Sequence, residues 1–369
     1  MAARPVAQVM RGGERGEIMA PATKIIGLGT YIPEREITND DVLELMRQNS
    51  AGYLSPEDLD TLMEKARVKL AKSGSVTRRW CRQDEFGPDM ALVAAQRALD
   101  DAGIPASDVD LIIYTGMSKA FVEPATGHVL RHELGALRAN VIDTQDACTS
   151  FMKSMEIADS LIKTGNYRTV LIAAGERTFD WADFSCKTVD ELAWKFGSLT
   201  IGDAAGAMVL RGTEEGPYAT DRRHMRSFYR LADGEYLTCH IGLNYRVGDR
   251  YRLHSHSSRL IRSGLKHMME LVKEILSADE WKNIQYECLF IHDIGKMIDE
   301  MVLPALRQAN VCIPESYRSF YPEIGNIASA SLPVAMDRAR NEGRLKRGNL
   351  VTYTCPAAGV QAGVMFFFY

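Results

Sequence analysis

Features that mark membrane-spanning, nucleic-acid-binding and disulfide-rich proteins are largely missing from this sequence. Its 369 residues contain no uninterrupted apolar stretch that approaches the roughly 18–20 residues of a membrane span. The net charge is only −4, so charge gives no reason to expect nucleic acid or an anionic membrane as a partner. With 46% hydrophobic and 25% charged residues, the composition is that of an ordinary globular protein long enough for about two domains.

The number and spacing of the cysteines argue against two further classes, disulfide-rich proteins and zinc-binding proteins. There are seven, an odd number, and no two form a C-x-x-C pair. A disulfide framework or a zinc site is therefore not expected, and a reducing compartment, the cytoplasm, fits better. His254 and His256 have a spacing that could hold a metal, but no cysteine or carboxylate lies beside them. This absence favours a polar loop and no metal.

The alternation of helical and strand patterns predicts a layered α/β protein. Apolar residues at helical spacing occur at 88–105 and 261–275, and the polar stretch 39–72 indicates surface helices broken near Gly52 and Pro56. Short apolar runs typical of buried strands lie at 109–116, 168–176, 204–210, 286–292, 349–355 and 363–369. Strands that alternate with helices are typical of α/β layers.

We divide the chain into an arm and two halves. Residues 1–22 carry charge and glycine but no apolar segment, so we predict a flexible N-terminal arm and not a signal peptide. A helix, an apolar strand and a chemically reactive residue follow one another once in each half. We therefore predict similar halves at 23–212 and 213–369.

Cys148 lies where a predicted strand ends and an amphipathic helix begins, in the stretch DTQDACTSFMKSMEIADSLI. Asp146 is a candidate N-cap for that helix. A helix N-terminus and a nearby imidazole would stabilise the nucleophilic thiolate, and free amides there could bind an oxyanion. Cysteine is also among the residue types most often buried in cores. Position alone therefore leaves a nucleophile and a packing residue both open.

Two other polar residues change this balance. His292 follows an apolar strand, at the end where α/β sites gather, and Asn326 lies in a Gly-Asn turn before a helix. Cys, His and Asn together can perform covalent acyl transfer, with the acyl group held on Cys148 as a thioester. Papain-like peptidases use the same residue order, but their C-G-[SA]-C-[WY] signature is absent. A peptidase is therefore disfavoured.

Other residues have structural alternatives to a functional role. Asp203 in IGDAAG is interpreted as structural. Arg78 and Arg79 could meet a phosphate of the substrate or form a solvated pair. The remaining cysteines considered are interpreted as packing residues: Cys186, Cys239, Cys288, Cys312 and Cys355.

Five segments resemble a known family in their order and spacing. They are KIIGLGTYIPEREITNDD, DMALVAAQRALDDAGIPASDVDLIIYTG, DACTSFMKSMEIADSLIKTGNYRTVLIAAGE, IGDAAGAMVL and GNIASASLPVAMDRARNEGRLKRGNLV. From about Lys24 to Tyr369, the chain resembles β-ketoacyl-acyl-carrier-protein synthase III-like enzymes of the thiolase superfamily. The resemblance implies an αβαβα sandwich of two similar halves, each with a mixed five-stranded sheet, and a homodimer.

The resemblance also implies roles for individual residues. The family's nucleophile falls on Cys148, and its other catalytic residues fall on His292 and Asn326. The two oxyanion-hole amides would be those of Cys148 and of Gly359 in CPAAGVQAG. The implied substrates are acyl-CoA or acyl-carrier-protein thioesters, with no separate cofactor and no metal.

The sequence also departs from the family pattern. The usual His-Gln-Ala-Asn is here HDIG, with Asp293 and Gly295 in place of the amides, and the Gly-rich loop that contains Gly359 is thinned. The Trp that stacks on coenzyme A in the family has no match in residues 42–79. The departures favour a specialised enzyme of secondary metabolite or polyketide biosynthesis.

Three hypotheses follow from this reading. The leading one is a ketosynthase that forms a carbon–carbon bond by Claisen condensation through an acyl-cysteine. The altered HDIG segment motivates a second, an acyltransferase that moves the acyl group to an alcohol, amine or carrier thiol. The third, from another class, is a non-catalytic partner subunit of a synthase complex, against which the retained Cys, His and Asn argue.

Overall fold

The computed structural model describes residues 22–242, 251–309, 311–314 and 317–369. The predicted N-terminal arm, apart from Ala22, lies outside the described residues. The helices are α1 Asn39–Ser50, α2 Pro56–Ser73, α3 Gly87–Ala102, α4 Gly127–Glu133, α5 Ser150–Lys163, α6 Leu192–Lys195, α7 Gly216–Thr220, α8 Ser257–Ser277, α9 Leu303–Gln308, α10 Tyr321–Ile324 and α11 Ser331–Asn341. The strands are β1 Ala22–Tyr31, β2 Glu36–Thr38, β3 Thr77–Arg79, β4 Leu111–Thr115, β5 Asn140–Thr144, β6 Thr169–Glu176, β7 Ala204–Thr213, β8 Arg226–Leu231, β9 Cys239–Ile241, β10 Leu253–Ser255, β11 Cys288–Ile291, β12 Leu350–Ala357 and β13 Gln361–Phe368.

The first half contains a mixed five-stranded sheet, as predicted. Its strand order is β1-β7-β6-β4-β5. Strand β7 is antiparallel to both β1 and β6, whereas β4 is parallel to both β6 and β5. The carboxyl ends of β4, β5 and β6 therefore meet at one edge, the edge at which α/β proteins place their sites.

The second half repeats this plan with one strand fewer. Its sheet has the order β11-β12-β13-β8, with β11 and β12 parallel and the other pairs antiparallel. The position that β5 holds in the first half would fall after α9, at 311–320. The described part of that segment forms no strand. The second sheet thus has four strands in the described chain where five were predicted.

The two sheets enclose a middle layer of helices. One core cluster joins Phe151 of α5 and Leu332 of α11 to side chains from both sheets, such as Ile172 and Phe367. Each strand directs alternate residues to this layer because side chains alternate across a strand. The predicted αβαβα arrangement is therefore confirmed.

Helices α3 and α8 cover the outer faces. Helix α3 packs on the first sheet through its alanine side, and α8 packs on the second sheet. The approach of α3 to β1 is close: a Cβ added to Gly27 would lie 2.0 Å from the Ala98 carbonyl oxygen, and one added to Gly29 would lie 2.3 Å from the Ala94 oxygen. Only glycine permits this contact.

Helices α1 and α2 form a side cluster that shields one wall of the molecule. The predicted break between them is confirmed, at residues 51–55. Their apolar sides are buried against Trp80, whose Nε1 donates to the Ile201 carbonyl oxygen at 3.2 Å. The predicted surface helices are therefore confirmed, and each buries one apolar side.

Within the described ranges, no helix is both long enough and apolar enough to span a bilayer.

The boundary between the predicted halves, at residues 212 and 213, stays a prediction.

Candidate active site

Cys148 lies in a strained turn just before α5. The helix begins at Ser150, and the turn is closed by Thr149 N–H donating to the Asp146 carbonyl oxygen at 3.1 Å. Ala147 has φ of +47°, a left-handed conformation that costs a non-glycine residue about 1–3 kcal/mol. The sequence predicted that Cys148 lies where a strand ends and a helix begins. The structure places it immediately before the helix, with its amide at the helix N-terminus.

Asp146 is not the N-cap of α5, so that prediction was wrong. Thr149 holds the N-cap position. The Asp146 carboxylate instead accepts from Thr149 Oγ1 at 2.8 Å and from Gln361 Nε2 at 3.0 Å, and it forms an ion pair with Lys153. The strained turn carries the carboxylate toward the second half of the chain. The capping pattern in the sequence could not reveal a partner that lies on the last strand.

Burial keeps the Cys148 thiol protonated. Burial raises its pKa well above the usual value, and the neighbouring Cys355, Cys239 and Glu176 act in the same direction. The sequence had suggested a thiolate stabilised by the helix N-terminus and an imidazole. Desolvation outweighs both effects here. The thiol proton must therefore leave as the substrate reacts.

His292 is a neutral imidazole held at two points. Its backbone N–H donates to the Thr354 carbonyl oxygen at 2.8 Å, which continues the β11–β12 pairing past the strand end. Its Nδ1 lies 2.9 Å from the Ser331 hydroxyl oxygen. Complete burial lowers its pKa to about 4. When Ser331 donates to Nδ1, the ring carries its proton on Nε2 and can donate it to a ligand.

Asn326 is fixed so that its amide nitrogen remains available. Its backbone N–H donates to the Thr200 oxygen and its carbonyl accepts from Gly202 N–H, both at 2.9 Å. Its side-chain Oδ1 accepts from the Ala328 N–H at 3.0 Å. An N–H donor requires the oxygen at that position, which assigns the amide orientation. The Nδ2 group is left to donate to a ligand.

Gly359 lies in the turn between β12 and β13. Its φ is +85°, and a Cβ added to it would meet no atom within 4 Å. The conformation, and not crowding, therefore favours glycine here. The turn is anchored where Ala232 N–H donates to the Val360 oxygen at 2.8 Å.

One cavity of about 1850 Å³ brings these groups together. Cys148, His292, Asn326 and Gly359 all line it. Since Cys148 comes from the first half and the other three come from the second, the site forms only when both halves pack together. The grouping makes available a thiol, an imidazole, a carboxamide and two turns with backbone amides.

Asp293, the first departure from the family pattern, is structural. Its buried carboxylate accepts from the Ser319 hydroxyl at 2.6 Å and from the N–H groups of Phe320 and Tyr321 at 2.8 and 3.0 Å. It thereby fixes the start of α10, which precedes the Asn326 turn. Although it is adjacent to His292 in sequence, its hydrogen bonds lead away from the imidazole.

Asp203 and the two arginines considered as phosphate ligands all bond to other residues of the protein. Asp203 is structural, as predicted: its buried carboxylate accepts from Cys81 N–H at 3.0 Å and from Thr178 N–H at 2.7 Å. Arg78 is neither a phosphate ligand in the cavity nor solvated, because it is fully buried and bonds the Ile37 carbonyl oxygen. Arg79 pairs with Glu36.

The cysteines predicted to be packing residues divide into three groups. Cys186, Cys288 and Cys355 are buried, as predicted. Cys312 is exposed, and Cys239 lines the cavity, so packing alone does not describe them. Among the described residues, no group of three or more His, Cys, Asp or Glu could hold a metal.

Sequence reasoning missed three supporting residues. Ser331 contacts His292, Gln361 contacts Asp146, and Glu176 accepts from the Met117 and Ser118 N–H groups beside the cavity. Glu176 is the last residue of a predicted strand, and this position is a signal that the sequence did contain. Ser331 and Gln361 gave none, because their partners are 39 and 215 residues away.

Comparison with known families and curated proteins gives a consistent result. The family described as 3-oxoacyl-[acyl-carrier-protein (ACP)] synthase III matches residues 142–227, and its C-terminal counterpart matches residues 276–369. A β-ketoacyl-[acyl-carrier-protein] synthase III of Xanthomonas axonopodis pv. citri is 26% identical over 344 residues, which cover 89% of this chain and 93% of that protein. The Rhodospirillum centenum enzyme of the same name is 27% identical over 348 residues, covering 92% and 96%.

Solved structures share the fold. Xanthomonas campestris OleA with bound lauric acid and lauroyl-CoA superposes with a TM-score of 0.80 at 22% identity, covering 95% of this chain and all of that one. A 3-oxoacyl-[acyl-carrier-protein] synthase III from Aquifex aeolicus gives 0.75 at 23% identity, covering 94% of this chain and all of that one.

Proposed function

Because the chain is a 3-oxoacyl-[acyl-carrier-protein] synthase III-like enzyme of the thiolase superfamily, we propose that Cys148, His292 and Asn326 are the residues that perform its condensation. The resemblance read from the sequence is confirmed, and the chain is a thioester-dependent condensing enzyme that transfers acyl groups. Such an enzyme takes acyl thioesters as its substrates and needs no separate cofactor.

The first step loads the enzyme. Sγ of Cys148 attacks the carbonyl carbon of an acyl thioester, and the bond from that carbon to the carrier sulfur breaks. The carrier leaves as a thiol with the proton that Cys148 gives up, so no oxidant is required. The amides of Cys148 and Gly359 would donate to the oxyanion that forms during the attack.

The second step forms the carbon–carbon bond. Decarboxylation of a malonyl thioester releases CO2 and gives an enolate. Where the second substrate is an acyl thioester, the proton next to its carbonyl passes to a base, which also leaves an enolate. Nε2–H of His292 and Nδ2–H of Asn326 would donate to the enolate oxygen. The enolate carbon then attacks the acyl carbon, and the bond from that carbon to the Cys148 sulfur breaks. The sulfur leaves as a thiolate and regains a proton. The product is a β-ketoacyl thioester.

The main support for this proposal is the hydrogen bond between His292 Nδ1 and the hydroxyl of Ser331. Ser331, a neutral hydroxyl, lies at Nδ1, and the pKa of the ring is lowered to about 4. A neutral imidazole with a proton on Nε2 is a donor, which is what an enolate oxygen needs. Asn326 supplies a second donor by the orientation of its amide.

Plain acyl transfer to an alcohol or amine is the weaker alternative. It needs a base to take the proton of the acceptor, and a histidine oriented by a carboxylate suits that role. Asp293, the residue that motivated this hypothesis, directs its carboxylate to Ser319, Phe320 and Tyr321. A non-catalytic subunit is weaker still, since all three reactive side chains line one cavity.

We further propose that the acyl group is long and aliphatic. The cavity exceeds the range of about 300–1,000 Å³ common for small-molecule sites. Part of its wall consists of apolar side chains from α8 and from the π-helical turn Ile298–Val302, among them Ile261, Leu265, Met268 and Met301. OleA, which shares the fold, has been solved with lauroyl-CoA. Acyl-CoA or an acyl carrier protein would deliver the chain, in secondary metabolite or polyketide biosynthesis.

We also propose a cytoplasmic homodimer. Phe121 and Val122, beside the cavity, are 45% and 101% exposed. Two adjacent apolar side chains this exposed favour an interface. Light scattering at micromolar concentration should give about twice the chain mass of 41.1 kDa. A stable monomer would contradict the proposal.

Intact-protein mass spectrometry tests the nucleophile. After incubation with lauroyl-CoA, the parent should gain one lauroyl group, and Cys148→Ala should gain none. Cys312→Ala is the matched control, since it removes an exposed cysteine outside the cavity. If Cys148→Ala acquires the same adduct as the parent, Cys148 is not the nucleophile.

A further inference from the structure

Gln361 touches both turns of the proposed oxyanion hole. It is the first residue of β13 and is 3% exposed. Its Nε2 donates to the Asp146 carboxylate at 3.0 Å, and Asp146 lies two residues before Cys148. The same nitrogen has a longer contact of 3.4 Å with the carbonyl oxygen of Ala358, which directly precedes Gly359.

Lys153 completes a closed network with these groups. Its ammonium donates to Gln361 Oε1 at 3.3 Å and forms an ion pair with the Asp146 carboxylate. It also lies 4.9 Å from the ring centre of Tyr229 on β8. Lys153 is on α5, one turn after the nucleophile turn. Both polar ends of the Gln361 side chain are therefore engaged, which fixes its rotamer and its amide orientation.

The two oxyanion-hole amides need such a link. The Cys148 amide belongs to the first half of the chain and the Gly359 amide to the second. No short stretch of backbone therefore joins the two amides and sets the distance between them. Both turns are also in unfavourable conformations, with φ of +47° at Ala147 and +38° at Val360. An oxyanion hole is effective only if its donors are already in place before the reaction. A misplacement of about 1 Å can cost a factor of about 10² in rate.

We propose that Gln361 is a positioning residue for acyl loading: it sets the distance between the Cys148 turn and the Gly359 turn, with Asp146 and Lys153 as its partners. The inference rests on the proposed function, since it assumes that Cys148 is acylated and that the Gly359 amide binds the oxyanion. Gln361 itself does not touch the reacting atoms.

The test compares two reactions of the same thiol. Acylation by lauroyl-CoA passes through an oxyanion, whereas alkylation by iodoacetamide is a direct displacement of iodide and needs no oxyanion hole. Gln361→Leu removes all three polar contacts of the side chain, those with Asp146, Ala358 and Lys153, and retains a side chain of similar size. We expect it to slow acylation about 10- to 100-fold, with KM for lauroyl-CoA unchanged. Alkylation of Cys148 should keep the parent rate.

Two further variants define the network. Asp146→Asn keeps an oxygen that can accept from Gln361 but loses the ion pair, so its acylation rate should lie between those of the parent and Gln361→Leu. Thr352→Val is the control, because the buried Thr352 hydroxyl on β12 has no hydrogen-bond partner among the described residues. It should acylate at the parent rate. If Gln361→Leu does not fold, Lys153→Met tests the same network from a partly exposed position, with Lys163→Met as its control on α5.

The outcomes separate this inference from the proposed function. Parent acylation that survives Cys148→Ala overturns the proposed function and, with it, the positioning role. Parent acylation confined to Cys148, together with an unchanged rate in Gln361→Leu (or in Lys153→Met), overturns the positioning role alone. Acylation and alkylation that fall by equal factors would show a general structural role and also overturn it.

Discussion

Asn326→Asp separates the two steps of the reaction more sharply than any other single change. In the structure, Oδ1 of Asn326 accepts from the Ala328 N–H at 3.0 Å. An aspartate has an oxygen at the same position and keeps this bond, so the turn should be preserved. What changes is the other arm, where a donor N–H₂ becomes an oxygen that can only accept.

The expected loss in the rate of condensation follows from the replacement of the Nδ2 donor of Asn326 by an oxygen. Loss of one donor to a developing oxyanion typically reduces kcat by about 10²–10³. An ionised carboxylate beside an enolate adds repulsion, so we predict that condensation falls at least about 10²-fold. Loading of Cys148 does not involve Asn326 in the proposed mechanism and should remain largely intact.

Loading and product formation must be measured separately. The mass of the acyl-enzyme reports loading, and chromatography of the β-ketoacyl product reports condensation. Asn349→Asp is the matched control, because the Asn349 Oδ1 also accepts a backbone N–H, from Lys346 at 2.8 Å, and Asn349 does not line the cavity. If Asn326→Asp condenses as fast as the parent, Asn326 does not stabilise the enolate, and plain acyl transfer becomes the better hypothesis.

Three other predictions concern the groups around His292. Ser331→Ala removes the hydrogen bond to Nδ1 and should slow condensation on the order of 10-fold, measured by product chromatography, whereas an unchanged rate would contradict the role of Ser331. His292 has its pKa lowered from 6.5 to about 4, so the unfolded chain binds the proton more readily and stability is lost as pH falls from about 6.5 toward 4. His292→Gln should therefore lose less stability than the parent between pH 6.5 and 5, by up to about 2 kcal/mol in urea unfolding, and equal losses would contradict the assignment. Asp293→Ala leaves buried N–H groups unpaired and should lower the free energy of unfolding by about 1–3 kcal/mol, while a stability equal to that of the parent would refute its structural role.

The places of Cys148 and His292 in the fold could be predicted because each has a clear local signal in the sequence. Cys148 comes between a strand and a helix, and His292 ends an apolar strand. In an α/β fold, strand ends converge on one edge, so a local pattern is enough to bring distant residues together. The family resemblance supplied Asn326 and Gly359, which local patterns alone leave as turn residues.

The features that the sequence did not predict depend either on partners that are distant in sequence or on burial. Arg78 was read as a surface or phosphate-binding residue, but a carbonyl of Ile37 and the side chain of Asn39 bond it in the interior. Asp146 satisfies the sequence pattern for an N-cap, yet it pairs with Gln361 across the two halves. The raised pKa of Cys148 has the same origin, because desolvation reflects the packing of the whole molecule and no short motif encodes it.

In the proposed mechanism, an acyl group on Cys148 is the intermediate in carbon–carbon bond formation. The most direct measurement is a single-turnover chase. The enzyme is loaded with lauroyl-CoA, freed of excess donor, and mixed with malonyl-CoA or with a second portion of acyl-CoA. We predict that the lauroyl adduct on Cys148 disappears at the rate at which a β-ketoacyl thioester containing the lauroyl carbons appears. An adduct that persists while product forms, or that is released only as free acid or as a simple acyl ester, would contradict it.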